Sequence, residues 1–207
     1  MAIKYTDEFL PSIMIPDQNS PDPDCVSYYV LEKERMFYLD FDIDESLTAL
    51  HRMILRWNLE DTGKPVEERK PIKLFVMSYG GSIDYCYSLI DWIKASNTPV
   101  WTIDIGVAAS AGGLIFISGH KRFMTKTARV LIHEGSAEMA GDAQKIMDAT
   151  DSYKKALKKM KEFIAENTGI TMKELMKKRS NDWELDATYC LEHNVCDAVI
   201  DSIEDII

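Results

Sequence analysis

Two apolar runs, each cut off by a cluster of small residues, constrain this chain more than any other feature. Ile72 to Met77 is a nearly continuous apolar run, the pattern of a strand buried on both faces of a parallel sheet. It stops at Ser78-Tyr79-Gly80-Gly81-Ser82, and a helix is predicted from Ile83 to Ala95, with Ile83, Tyr87, Ile90 and Ile93 on one side. Val100 to Ile105 repeats the pattern and stops at Gly106-Val107-Ala108-Ala109-Ser110-Ala111-Gly112-Gly113, where the next helix is expected to start. Strand, tight turn and helix in alternation predict an α/β fold with a mostly parallel sheet.

The rest of the chain is read against that pattern. Met1 to Asp24 carries Pro11, Pro16, Pro21 and Pro23 among Asp, Asn and Ser, so residues 1–26 read as an irregular N-terminal arm. Residues 27–207 then form a single domain. Ser27 to Phe41 reads as two short strands around the charged turn Glu32 to Arg35. Asp44 can cap a helix with Leu47, Leu50, Ile54 and Leu55 on its apolar face, and Glu60 to Pro71 is a charged loop. Arg122 to Lys126 and Ala128 to Ile132 read as short strands, with His133 at the end of the second. Glu134 to Gly141 is a loop of small residues. Asp142 opens the longest helix, to Asn167, with Ile146, Met147, Tyr153, Leu157, Met160 and Ile164 as its stripe. Thr171 to Glu174 is a capping box, Asn181-Asp182-Trp183 a turn, Asp186 the cap of a last helix, and Val195 to Ile200 a strand.

Composition excludes several classes. The net charge of −10 argues against a nucleic-acid surface. Ile105 to Ile117 is the longest apolar stretch and is too short to cross a bilayer, and no secretory signal opens the chain. Cys25, Cys86, Cys190 and Cys196 form no C-x-x-C pair, and the four histidines have no zinc spacing. Reduced thiols in a cytoplasmic protein without a structural metal are the expectation.

Three features fall where strands end, which is where ligands bind in open α/β sheets. Gly80-Gly81 can turn backbone N–H groups toward a ligand. Ser110 offers a hydroxyl among small neighbours at a strand-to-helix turn, although Ala108 breaks the G-x-S-x-G pattern. His133 offers an imidazole. Each alone has a plainer explanation: a tight turn, a close-packed helix start, a rim histidine. Together they are a nucleophile, a base and oxyanion donors, the parts of acyl transfer at serine. The orienting acid could be Asp182, Asp186 or Asp197, and Asp186 reads better as a helix cap.

From about Tyr29 onward the chain resembles the proteolytic subunit of the Clp protease family, self-compartmentalised serine peptidases of the crotonase-like fold. Met77 to Ser82 resembles the family's N-S-P-G-G-S segment, and Gly106 to Gly112 its G-M-A-A-S-M-G nucleophile segment. Leu131-Ile132-His133-Glu134 resembles its M-I-H-Q base segment. Asn181 to Ala187 with Glu192 to Asp197 resembles its R-D-x-[FW]-[LM]-[ST]-A…E-Y-G-L-[IV]-D ending. Four pieces occur in the family's order at similar separations. The resemblance implies Ser110 as nucleophile, His133 as general base and then acid, Asp182 as orienting acid, and the backbone N–H groups of Gly81 and Ala111 as oxyanion donors. It implies a repeated ββα spiral with a protruding handle, about residues 134–167, and a homo-oligomer of stacked heptameric rings. The rings would take polypeptide substrates from an AAA+ unfoldase, and the subunit itself would hold no cofactor, nucleotide or metal. The chain departs from the family pattern at Tyr79 and Gly135, each in place of a proline. It departs also at Asn181 and Trp183, in the stretch Asp61 to Lys70, and in the arm. Such divergence is similar to that of phage-encoded relatives acting on virion proteins without an unfoldase. A silent structural subunit and an acyl-CoA enzyme of the same fold are the other readings; the second leaves Ser110 and His133 without a role.

Overall fold

The computed structural model describes residues 23–135, 138–178 and 182–207. Most of the expected N-terminal arm, residues 1–22, and Asn181 of the expected turn lie outside the described residues. The chain divides into two compact units, Met1–Phe37 and Tyr38–Ile207.

The first unit corrects the expectation of two strands over Ser27 to Phe41. Helix α1 spans Pro23–Lys33 and strand β1 Met36–Leu39. Tyr28 and Tyr29, among the residues that suggested a strand, lie on the helix instead, and the Tyr28 ring meets Tyr29 and Phe37 edge-on at 5.9 and 5.8 Å. The charged stretch ends the helix: Glu34 and Arg35 donate back to the Leu31 and Glu32 carbonyls, and Arg35 takes a left-handed φ of 58°.

The second unit is built on the expected parallel sheet. Asp44 caps a 3₁₀ turn (Glu45–Leu47) that leads into α2, Thr48–Glu60. Leu47, Leu50 and Ile54 are buried, but Leu55 is not; Trp57, one turn on from Ile54, takes the inner face. Strand β2 is Ile72–Ser78, helix α3 Ile83–Ala95, strand β3 Val100–Ala109 and helix α4 Ala111–Ile117. Strands β4 (Lys121–Thr125) and β5 (Arg129–Ile132) follow. Helix α5 runs Ala143–Asn167, capped by the Asp142 carboxylate, which accepts from Lys145 N. The capping box opens α6, Met172–Lys178. Strand β6 (Trp183–Asp186) begins at the last residue of the expected turn; helix α7 (Ala187–Glu192) is capped by Asp186, and β7 is Ala198–Ile200.

Strand β3 organises the sheet. It pairs in parallel with β2 along its length and with β4 from Trp101 to Asp104. From Val107 to Ala109 its outer partner becomes β5, also parallel. The sheet therefore forks at Asp104-Ile105-Gly106. The same residues absorb a register shift against β2, where Val76 faces Asp104 but Ser78 faces Ala108. Beyond the fork β6 adds antiparallel to β5, and β7 adds parallel to β4. The stripe expected along α5 holds only in its second half: Ile164 is buried, whereas Ile146 and Met147 are exposed.

Candidate functional site

The fork brings the candidate residues together through register. Ala109 is level with Leu131, and Ser110 N donates to the Leu131 carbonyl at 2.9 Å. That places Ser110 beside the last residues of β5, and His133 follows directly. The antiparallel pair Ile132–Trp183 then sets the residue after Ile132 opposite the residue before Trp183. His133 Nδ1 lies 3.6 Å from Asp182 Oδ1, an ion-pair distance longer than a hydrogen bond. The other candidate acids are engaged elsewhere. Asp186 accepts from Tyr189 N, and Asp197 binds Arg122 through both oxygens.

Ser110 has φ 53° and ψ −123°, outside the regions that L-residues favour. Such a conformation costs about 1–3 kcal/mol and persists only where its surroundings impose it. They do so from three sides. Leu131 accepts its N–H, Leu114 donates to its carbonyl, and the Gly80 backbone lies so close that a Cβ there would sit 2.8 Å from Ser110 Cβ. The Ser110 hydroxyl makes no cap of its own. The small residues also have the packing role of a close-packed helix start. A Cβ at Gly112 would lie 2.9 Å from the Ser78 carbonyl oxygen, and one at Gly113 2.9 Å from that of Ala108.

The glycine turn is held by Ile43. Ile43 N donates to Gly80 O and Ser82 N donates to Ile43 O, so Gly81 is pinned between two bonds at φ 144°. Ser78 Oγ donates to the Phe41 carbonyl and accepts from Gly80 N. Among the described residues, the N–H groups of Gly81 and Ala111 have no acceptor, and an ideal Cβ on Gly80 would be 3.1 Å from Ala111 N. One donor without an acceptor thus directly follows the serine, and the other follows Gly80, whose backbone lies against it; backbone donors of this kind are what an oxyanion requires.

The crevice itself is tight. Its lining includes Ser110, Leu114, Ile132, His133, Met160 and Ile164, and it encloses about 10 Å³, room for one water. Among the described residues no hydrogen bond joins Ser110 to His133. Met160 and Ile164 come from α5 and were read from the sequence only as core. The sequence reading also passed over Asp104, inside the apolar run Val100 to Ile105. It is fully buried at the fork; Oδ1 accepts from Gly106 N, and among the described residues Oδ2 has no partner. Burial pushes its carboxyl up to about 7, against the Gly106 bond and the nearby Arg129 charge, which pull it down. A lone acid in a buried-strand pattern is the signal that could have found it. Burial likewise raises the thiols of Cys86, Cys190 and Cys196, which leaves none of them as a nucleophile near neutrality. Among the described residues, no group of three His, Cys, Asp or Glu side chains could hold a metal ion.

With this geometry in hand, comparison with known proteins is decisive. The family model described as Clp protease matches residues 25–203. The chain belongs to the Clp protease family. It is therefore a serine-type endopeptidase by family, with the family's mixed α/β fold and mostly parallel sheet. Curated relatives agree. The ATP-dependent Clp protease proteolytic subunit 2 of Treponema pallidum is 34% identical over 139 residues, 66% of this chain and 70% of the relative. The subunit 2 of Corynebacterium diphtheriae is 29% identical over 180 residues, covering 86% and 87% of the two chains. The proteolytic subunit of Streptococcus mutans is 28% identical over 182 residues, covering 86% and 90%. No helix among the described residues is long and apolar enough to cross a membrane.

Proposed function

We propose that this chain hydrolyses polypeptides through an acyl-enzyme on Ser110. His133 takes the Ser110 proton through Nε2 as the oxygen attacks the carbonyl, and returns it to the leaving amine. Asp182 faces Nδ1 and holds the tautomer that leaves Nε2 open to the serine. The N–H groups of Gly81 and Ala111 receive the oxyanion. Water then enters, His133 activates it, and the acyl group leaves. No cofactor is needed. The observation that carries this reading is the fork, because one register brings the ends of β3, β5 and β6 to a common point.

The working form is an assembly of stacked heptameric rings in the cytoplasm, fed by an AAA+ unfoldase, with the segment 134–167 as the joining handle. The exposed Ile146 and Met147 in the first half of α5 support this, since apolar side chains there gain by being covered. The narrow crevice favours one second reading, a silent or latent subunit.

Intact-mass labelling with a fluorophosphonate, on the assembled protein and on Ser110→Ala, tests both. One adduct that vanishes in the variant, with peptide turnover lowered about 10⁴-fold or more, is the expected result. A correctly assembled protein that takes no adduct establishes the silent subunit instead.

A further inference from the structure

Strand β3 is irregular where the sheet forks. Asp104 to Ala108 takes four steps against two in β2, from Val76 to Ser78, so β3 carries two extra residues there. A bulge of this kind interrupts the ladder and re-aims whatever follows it. Asp104 is the last residue level with β4, and Val107 is the first level with β5. Ile105 and Gly106 lie between the two pairings. Beyond them Ala109 reaches Leu131, and Ser110 N donates to the Leu131 carbonyl. The shape of the bulge therefore decides where the serine stands.

One side chain spans the bulge. Asp104 is fully buried and is anchored by its pairing with Val76 and Met124. Its Oδ1 accepts from Gly106 N at 3.0 Å, so an aspartate holds the backbone two residues on. Packing does not hold Gly106 in the same way. A Cβ on Gly106 would come no closer than 3.8 Å to Met77, whereas one on Gly80 or Gly112 would collide with backbone or side chain below 3.0 Å. The Asp104 carboxyl is also a burden on the fold, because Oδ2 is buried and has no partner among the described residues. An apolar side chain of similar volume would carry no such penalty. The bond to Gly106 is what the carboxyl offers in return.

We propose that Asp104 is a positioning residue: by holding Gly106 it fixes the bulge that sets Ser110 beside His133 and the N–H groups of Gly81 and Ala111. Asp104 itself touches no substrate. The proposal rests on Ser110 being the nucleophile, as argued above.

The test follows the rate of fluorophosphonate labelling at Ser110, kcat and KM on a reference peptide, and Tm, all on the full-length assembled protein. Asp104→Val removes both the acceptor for Gly106 N and the partnerless oxygen. Its Tm should be unchanged or higher, while labelling rate and kcat fall together by about 10- to 100-fold and KM stays within about two-fold. Asp104→Ala should slow both rates in the same way. Asp104→Asn keeps a carbonyl oxygen for Gly106 N and should stay within about two-fold of the unsubstituted protein in every rate. Labelling of Asp104→Val at the full rate, or an Asp104→Asn as slow as Asp104→Val, would overturn the positioning role while leaving the peptidase intact. Failure of both Asp104→Val and Asp104→Ala to fold would also overturn it, by making Asp104 a support of the whole sheet. No adduct at Ser110 in the unsubstituted protein would overturn the peptidase reading and the positioning role together.

Discussion

Helices α4 and α5 lie in the same unit and could hardly be built more differently. All seven residues of α4, Ala111–Ile117, are buried. Of the 25 residues of α5, only Lys161 and Ile164 are. Helix α4 stands because the core surrounds it; burying side chains such as Ile115 and Phe116 contributes about 1.5–3 kcal/mol each. The first half of α5 has almost no core and relies on its own surface. Asp142 caps it, Gln144 donates to Asp148, and Lys154 pairs with Asp151. Such contacts are worth a few tenths of a kcal/mol each, with about 1 for the cap. The chain packs tightly where a serine is held in an unfavourable conformation, and leaves the first half of α5 bare.

Substitutions can break this contrast, the most damaging at the buried end. At Gly81, an alanine Cβ would lie 2.4 Å from the Ile43 carbonyl oxygen, at a φ of 144° that L-residues avoid. Gly81→Ala should displace the oxyanion donor and lower turnover by about 10²- to 10³-fold, checked by kcat on a reference peptide. Ile115→Ala should lower unfolding stability by about 2–5 kcal/mol, measured by denaturant titration.

Asp104 tests the fork between the two regimes through pH. Its carboxyl is raised from the ordinary range to about 7 by burial. Between pH 4 and 7 the unfolded chain therefore gives up this proton while the folded one keeps it. Folding stability from this group is present at acid pH, falls as pH rises through that window, and levels off above it. Asp104→Asn keeps an acceptor for Gly106 N and should remove this slope from the dependence of Tm on pH; an unchanged slope would show that the carboxyl is not the cause. At the exposed end Met147→Ser should shift the stability of a dissociated chain by no more than about 0.5 kcal/mol. A larger loss would mean that the helix is packed after all.

The same contrast explains what could be read from the sequence. Buried strands announce themselves, and β2, α3 and the cap of α5 fall where the pattern puts them. So do Ser110, Gly80-Gly81 and His133, because each follows an apolar run. Three kinds of feature were hidden. The segment at Tyr28 has strand-like residues, yet it is helical. Strand β6 was not foreseen beyond the turn expected up to Trp183, because its four residues are too short to show a period. The fork was invisible because it depends on which strand lies beside which, and that is decided by pairing across long stretches of chain. Asp182 illustrates the last point: the residue pattern alone left three acids open, the resemblance implied this one, and the β5–β6 register is what brings it beside His133.

The fork also separates what can vary from what cannot. Strand β3, which leads into Ser110, is clamped by β2 on one side and by two partners in succession on the other, so its position is set before and after Gly106 independently. Helix α5 and the loop from Asp61 to Lys70 lie outside the sheet and do not pass between those clamps. Insertions, losses and changes of sign in these places alter what the molecule touches and accepts while Ser110 stays where it is. A family built this way can change its clientele without rebuilding its chemistry.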